Sequence, residues 1–145
     1  MPNTLQALLA DAALRSDFVT RGVALIDAEV ARKSGLRGMA VKAGYKTLKA
    51  LRPGMVAEAL NGLLPAFAPA VEPHFAAAQS EGDVAGYFAR NATQIAEAML
   101  EVTDRKAERA DNRLIQRTYR SLRGQAHHHT AEAMPAVGEL MARYA

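Results

Sequence analysis

Thirty-one of the 145 residues are alanine, while isoleucine occurs three times and tryptophan never. Alanine, leucine, arginine and glutamate lose little side-chain freedom in a helix, whereas strands draw on β-branched and aromatic residues. No segment alternates apolar and polar residues over a strand's length, and no Asn-Gly or Asp-Gly pair joins two such runs. The chain is therefore read as all-α, a compact bundle of about six to eight helices without a sheet. One domain over residues 1–145 is expected. A chain of this length can bury ~68–70% of the surface it exposes when unfolded. Half of its residues are hydrophobic, too many for disorder throughout.

Local signals divide the chain. Leu5, Leu8 and Leu9 start a short helix behind Asn3 or Thr4. Ser16 reads as the next cap, with Phe18, Val19, Val23, Ile26 and Val30 at helical spacing to about Lys33 and a stop at Gly35. A third helix runs from about Leu36 to Leu51 and ends at Arg52-Pro53-Gly54. Met55 to Leu64 is a fourth. Pro65, Pro69 and Pro73 then recur every four residues, and each removes a helical hydrogen bond at ~3 kcal/mol or more. Short kinked turns are expected there, with Phe67, Val71 and Phe75 on one face. Ser80 and Asp83 resemble a capping box opening a long helix through Val84, Phe88, Ile95 and Met99. At ~100° per residue, the apolar face swaps by half a turn between Met99 and the stripe Leu114, Ile115 and Leu122. A break near Asp111-Asn112 restores the phase. Gly124 closes the following helix, and Thr130 caps a last one carrying Met134, Val137, Met141 and Tyr144.

The stretch Glu29 to Lys46 (EVARKSGLRGMAVKAGYK), with Arg52-Pro53-Gly54 beyond it, resembles a family of small uncharacterised bacterial helical proteins. The resemblance covers the second to fifth helices. It implies a helical fold and a bacterial origin, and it carries no activity and no catalytic residue.

Charge is segregated within a net +3. Residues 32–52 hold seven basic residues and no acid, and residues 53–104 hold seven acids against Arg90 alone. Residues 105–123 are basic again, seven against two. Lys42, Lys46 and Lys49 line one side of the third helix, opposite Ala40, Gly44, Thr47 and Leu51, whose small side chains suit burial against a neighbour. Arg109, Arg113, Arg117 and Arg120 form a second basic face. Such faces are first of all solvated surfaces, or partners for the stripe Glu97, Glu101, Asp104 and Glu108 within the molecule or across a dimer. Phosphate contact is the functional alternative, with Lys42, Lys46, Lys49, Arg113, Arg117 and Arg120 as the candidate residues.

Motifs for chemistry are sparse. Cysteine is absent, which removes disulfides, thiolate metal sites and cysteine nucleophiles. Gly38 and Gly44-Tyr45-Lys46-Thr47 fail as a phosphate-binding loop, because Tyr45 separates the Gly-Lys pair and the context is helical. There is no Gly-x-Ser-x-Gly elbow, and Ser16, Ser34, Ser80 and Ser121 sit at expected helix ends. His127-His128-His129 with Glu132 is the densest ligand group. Consecutive histidines diverge by ~100° each, and no Glu-x-x-His pair accompanies them. His128, His129 and Glu132 are thus a remote metal-site candidate, read first as a surface loop at a helix start. His74 reads as a neighbour of Phe75.

A non-enzymatic interaction or self-associating module follows, without catalytic residue or cofactor. The opposed charge blocks would support a salt-sensitive self-contact. The alternatives are an accessory nucleic-acid binder without sequence specificity, and then a metal-dependent enzyme. No run of ~18 apolar residues spans a membrane. The start Met1-Pro2-Asn3-Thr4 lacks the basic segment of a signal peptide, so a cytoplasmic location is expected.

Overall fold

A computed structural model describes residues 3–51 and 53–145, with the side chains of Leu48 and Ile115 left aside. Among the described residues there are seven helices and no strand, as the alanine-rich composition predicts: α1 Leu5–Ala10, α2 Ala12–Ala31, α3 Gly35–Leu51, α4 Met55–Glu81, α5 Val84–Arg90, α6 Ala92–Glu108 and α7 Arg113–Ala142. The chain divides into two compact units, one holding the chain up to Gln6 with Ala66–Ala145 and the other Ala7–Pro65.

The first unit contains nearly all of the core. Of the fourteen buried hydrophobic residues among those described, thirteen belong to it, with Phe75, Phe88, Ile95 and Met134 fully enclosed. α5 and α6 both pack on α7. Among the described residues the second unit contributes Leu64 alone.

The expected break before Asp111-Asn112 is present. α6 ends at Glu108, and the Asn112 carboxamide caps α7 by accepting from Leu114 N at 2.8 Å. The stop after α3 is also present, with Gly54 at φ +76 beside Pro53, while Arg52 lies outside the described residues. Ser16 is not a cap. Asp11 is, because its carboxylate accepts from both Ala13 N and Leu14 N, and a charged acceptor suits a helix N-terminus better than a hydroxyl. Ser80 likewise lies inside α4, and Asp83 itself caps α5 through Gly86 N. The expected long helix is interrupted once more, at Asn91, whose side-chain amide donates to the Tyr87 carbonyl at 3.0 Å while its backbone leaves helical geometry.

Two expectations fail for the same physical reason. The proline segment is not a set of kinked turns, since α4 runs unbroken through Pro65, Pro69 and Pro73. The four-residue spacing puts all three rings on one exposed strip, while Val71, Phe75 and Ala78 are buried on the other side. The carbonyl that Pro65 deprives of its N–H is that of Asn61, and Arg15 of α2 replaces the missing donor. Arg15 Nη2 reaches that oxygen at 3.0 Å, and Arg15 Nε bonds the Asn61 side chain at 2.7 Å. Similarly, α7 is one helix of 30 residues that runs through Gly124, His127-His128-His129 and Thr130. Gly124 keeps ordinary helical geometry, because α5 and α6 pack along α7 and outweigh a cost of ~1 kcal/mol for one glycine.

The Arg15 contact makes a quantitative prediction. Arg15→Met removes both bonds to Asn61 and should destabilise the protein by about 1–2 kcal/mol. In a Pro65→Ala background, where residue 65 regains its N–H, the same substitution should cost less. Urea unfolding of the four variants measures the difference, and equal costs in both backgrounds would refute the role given to Arg15.

Candidate functional site

Three features stand out, two in the first unit and one in the second. The first is the seam between α6 and α7. Arg123 Nε and Nη2 take the two Asp104 oxygens at 2.8 and 3.0 Å, and Nη2 also reaches Glu97 Oε1 at 2.8 Å. Tyr119 donates its hydroxyl to Asp104 at 2.6 Å and lies 2.6 Å from the Thr103 hydroxyl, and His127 Nε2 lies 3.4 Å from Glu97. The Arg123 guanidinium holds the Asp104 carboxyl below its usual range, with help from the Tyr119 hydroxyl and against some burial. Burial raises the Tyr119 phenol, and the adjacent Asp104 carboxylate adds to this. The inward side of this part of α7 is thus polar. Its expected apolar stripe faces out: Leu114 and Leu122 are exposed, and the Ile115 side chain lies outside the described residues.

The second feature follows on the same helix. Arg113, Arg117 and Arg120 line a hollow with Gln116, on a single helical side. Gln116 is anchored, its amide donating to the Ala110 carbonyl at 2.7 Å, so three exposed guanidinium groups surround a fixed polar floor. Such a hollow suits anionic oxygens.

The third feature is α3. Among its described residues only Gly38 is buried. The side carrying Ala40, Gly44, Thr47 and Leu51, expected to be covered, is open, and a side chain added at Gly44 would meet nothing within 4 Å. Leu36 is 88% exposed, Leu51 71% and Met39 66%. The small residues would permit close approach, but among the described residues no helix covers them. α3 instead rests on α2 through Tyr45, whose hydroxyl donates to Asp27 at 2.6 Å. Lys49 completes that contact, 3.2 Å from Asp27 with its ammonium 5.4 Å from the Tyr45 ring centre. The Tyr45 hydroxyl holds the Asp27 carboxyl down, and burial together with that carboxylate raises the Tyr45 phenol.

The sequence-derived candidates therefore separate. Lys42 and Lys46 are exposed and make no ion pair among the described residues, whereas Lys49 is engaged within its unit. Arg113, Arg117 and Arg120 come together. His128 pairs with Glu132 at 2.7 Å on the helix surface, with the His129 ring 5.5 Å away. Neither lies in a loop, and no three potential ligands converge as a metal site among the described residues. His74, read as a neighbour of Phe75, has its Nδ1 3.4 Å from the Tyr87 hydroxyl. Helical spacing alone does not single out Arg123, Tyr119 or Asp27. Their only sequence signal was Tyr119 and Arg123 four residues apart, which places both over the acidic stripe of α6.

The acids are mostly engaged at home. Within 53–104, Glu72 accepts from Leu5 N, Glu81 and Asp83 meet Arg90, and Glu97 and Asp104 meet Arg123. Two arginines thus meet four of the seven acids of the negative block, while Lys42 and Lys46 of α3 and the arginines of the hollow are exposed.

The sequence matches, over residues 5–145, a family of unknown function, DUF6918. No curated protein and no solved structure matches it.

Proposed function

The chain belongs to the DUF6918 family, a family of unknown function, and we propose that it is a non-enzymatic interaction module that docks through α3. The observation that carries this reading is the uncovered apolar side of α3 in a unit whose only buried hydrophobic residue among those described is Leu64. Ordering a residue costs about 1–2 kcal/mol of backbone entropy, which burial normally offsets. A helix this bare gains most when a partner covers it. A second copy of the chain is a poor partner for that side. In an antiparallel pair of α3 helices like edges meet, so Lys42 and Lys46 would confront their own counterparts with no acid in residues 32–52 to compensate.

A photoreactive residue at position 43, in the middle of the open side, tests the reading in living cells. A covalent adduct should form there and not from position 21, an intermediate-exposure site on α2. No adduct from position 43 refutes it. The arginine hollow favours a second reading, an accessory nucleic-acid contact, because phosphate oxygens match clustered guanidinium groups. The same residue at position 117 tests that reading, which requires a nucleic-acid adduct.

A further inference from the structure

At ~100° per residue, Leu36, Met39, Ala40, Ala43, Thr47 and Leu51 of α3 occupy about a third of the helix circumference. All six are exposed. Lys46 and Lys42 border this sector on one edge and Arg37 on the other, each exposed and without an ion pair among the described residues. The sector has no directional polar group to offer a specific partner, since the Thr47 hydroxyl donates back to the Ala43 carbonyl at 3.0 Å and leaves its methyl outward.

From this geometry we infer that α3 docks on an anionic lipid surface, lying in the membrane plane with its apolar sector toward the acyl chains and Arg37, Lys42 and Lys46 among the headgroups. This rests on the reading of α3 as the docking face. An apolar strip flanked by cations on both edges is the pattern of an interfacial helix. A nucleic acid would use the cations and leave Leu36, Met39 and Leu51 in water. Among the described residues no single helix is long and apolar enough to cross a membrane. α3 and α4 reach that length and apolarity only together, as a bent pair, and α4 commits Val71, Phe75 and Ala78 to the core of the first unit. α3 is therefore placed on the membrane surface.

Flotation of the full chain with vesicles of phosphatidylcholine and phosphatidylserine, against phosphatidylcholine alone, is the test. The chain should float with the anionic vesicles, less so as salt rises, and hardly at all with the neutral ones. Each cation near such a surface strengthens binding roughly fivefold, so Lys42→Gln/Lys46→Gln should weaken flotation by roughly 25-fold. Leu36→Ser/Met39→Ser/Leu51→Ser should also lose it with every charge intact. All five positions are exposed, so both variants should keep the wild-type helical circular dichroism. Absence of flotation, or equal flotation with neutral vesicles, overturns the proposal. So does a serine variant that floats like the wild type, since binding by charge alone would point to a polyanion. A protein adduct at position 43 without flotation overturns the lipid surface and leaves α3 as the docking face.

Discussion

Phe88→Ala should destabilise the protein by about 3–5 kcal/mol, the largest loss expected from any single side chain here. Phe88 has no exposed surface and lies beside Gly138 where α5 packs on α7. A Cβ on Gly138 would lie 2.7 Å from the Phe88 Cβ and 3.0 Å from the Ala85 carbonyl oxygen. The two helices are thus in near-backbone contact, and they cannot move closer to fill the space the ring vacates. A truncation that the surroundings cannot collapse around keeps its cavity, which places the cost in the upper part of the usual range. Chemical unfolding followed by far-ultraviolet circular dichroism measures the loss. A change below about 1 kcal/mol would mean that Phe88 is not the centre of this core.

Arg123→Met should cost about 2 kcal/mol at neutral pH, and the deficit should vanish in acid. The substitution keeps the aliphatic stem but removes three charge-assisted hydrogen bonds, leaving Glu97 and Asp104 without their cation. Partial exposure of both carboxylates keeps the cost well below that of a buried pair. The folded Asp104 titrates below the ordinary value of 3.8, because Arg123 favours its charged form. A depressed carboxyl contributes its full stability above the unfolded value and loses it as the pH falls through the folded one. The gap between wild type and variant should accordingly be constant above about pH 5 and close below 3.8. In an Asp104→Asn background most of this pH dependence should disappear. A gap that persists unchanged at low pH would show that the Arg123 stem, and not its charge, holds α6 to α7.

The tyrosine on α3 behaves in the opposite sense. Its raised phenol adds stability below the ordinary value of 10.0, and that contribution is lost as the pH rises through the higher folded value. The α2–α3 contact is thus expected to loosen at alkaline pH.

Much of the candidate site could be read before any coordinate. The cations Lys42, Lys46, Arg113, Arg117 and Arg120 stood out because helical spacing groups them at three- and four-residue intervals. Whether each cation was free could not be read that way. Lys49 belongs to the same face by spacing, yet it is held by Asp27, which is 22 residues away. The acidic stripe on α6 was equally visible, and the arginine that meets it is Arg123, one turn beyond the four that spacing had singled out.

Local chemistry accounts for what the sequence alone decided: the helical class, the stop at Pro53-Gly54, the break before Arg113 and the segregation of charge. Each depends on residues within a turn or two of one another, through propensity, a missing N–H, a change of apolar phase or simple proximity. Only tertiary contact decided the rest. α4 survives Pro65 because Arg15, 46 residues earlier, supplies the donor that the proline lacks. α7 runs through Gly124 because α5 and α6 pack along it, with Arg123 reaching back 19 residues to Asp104 and 26 to Glu97. The open side of α3 is the reverse case. Its small residues are built for close packing, and a pattern within one helix specifies that a face can be covered but not whether another helix of the chain arrives to cover it.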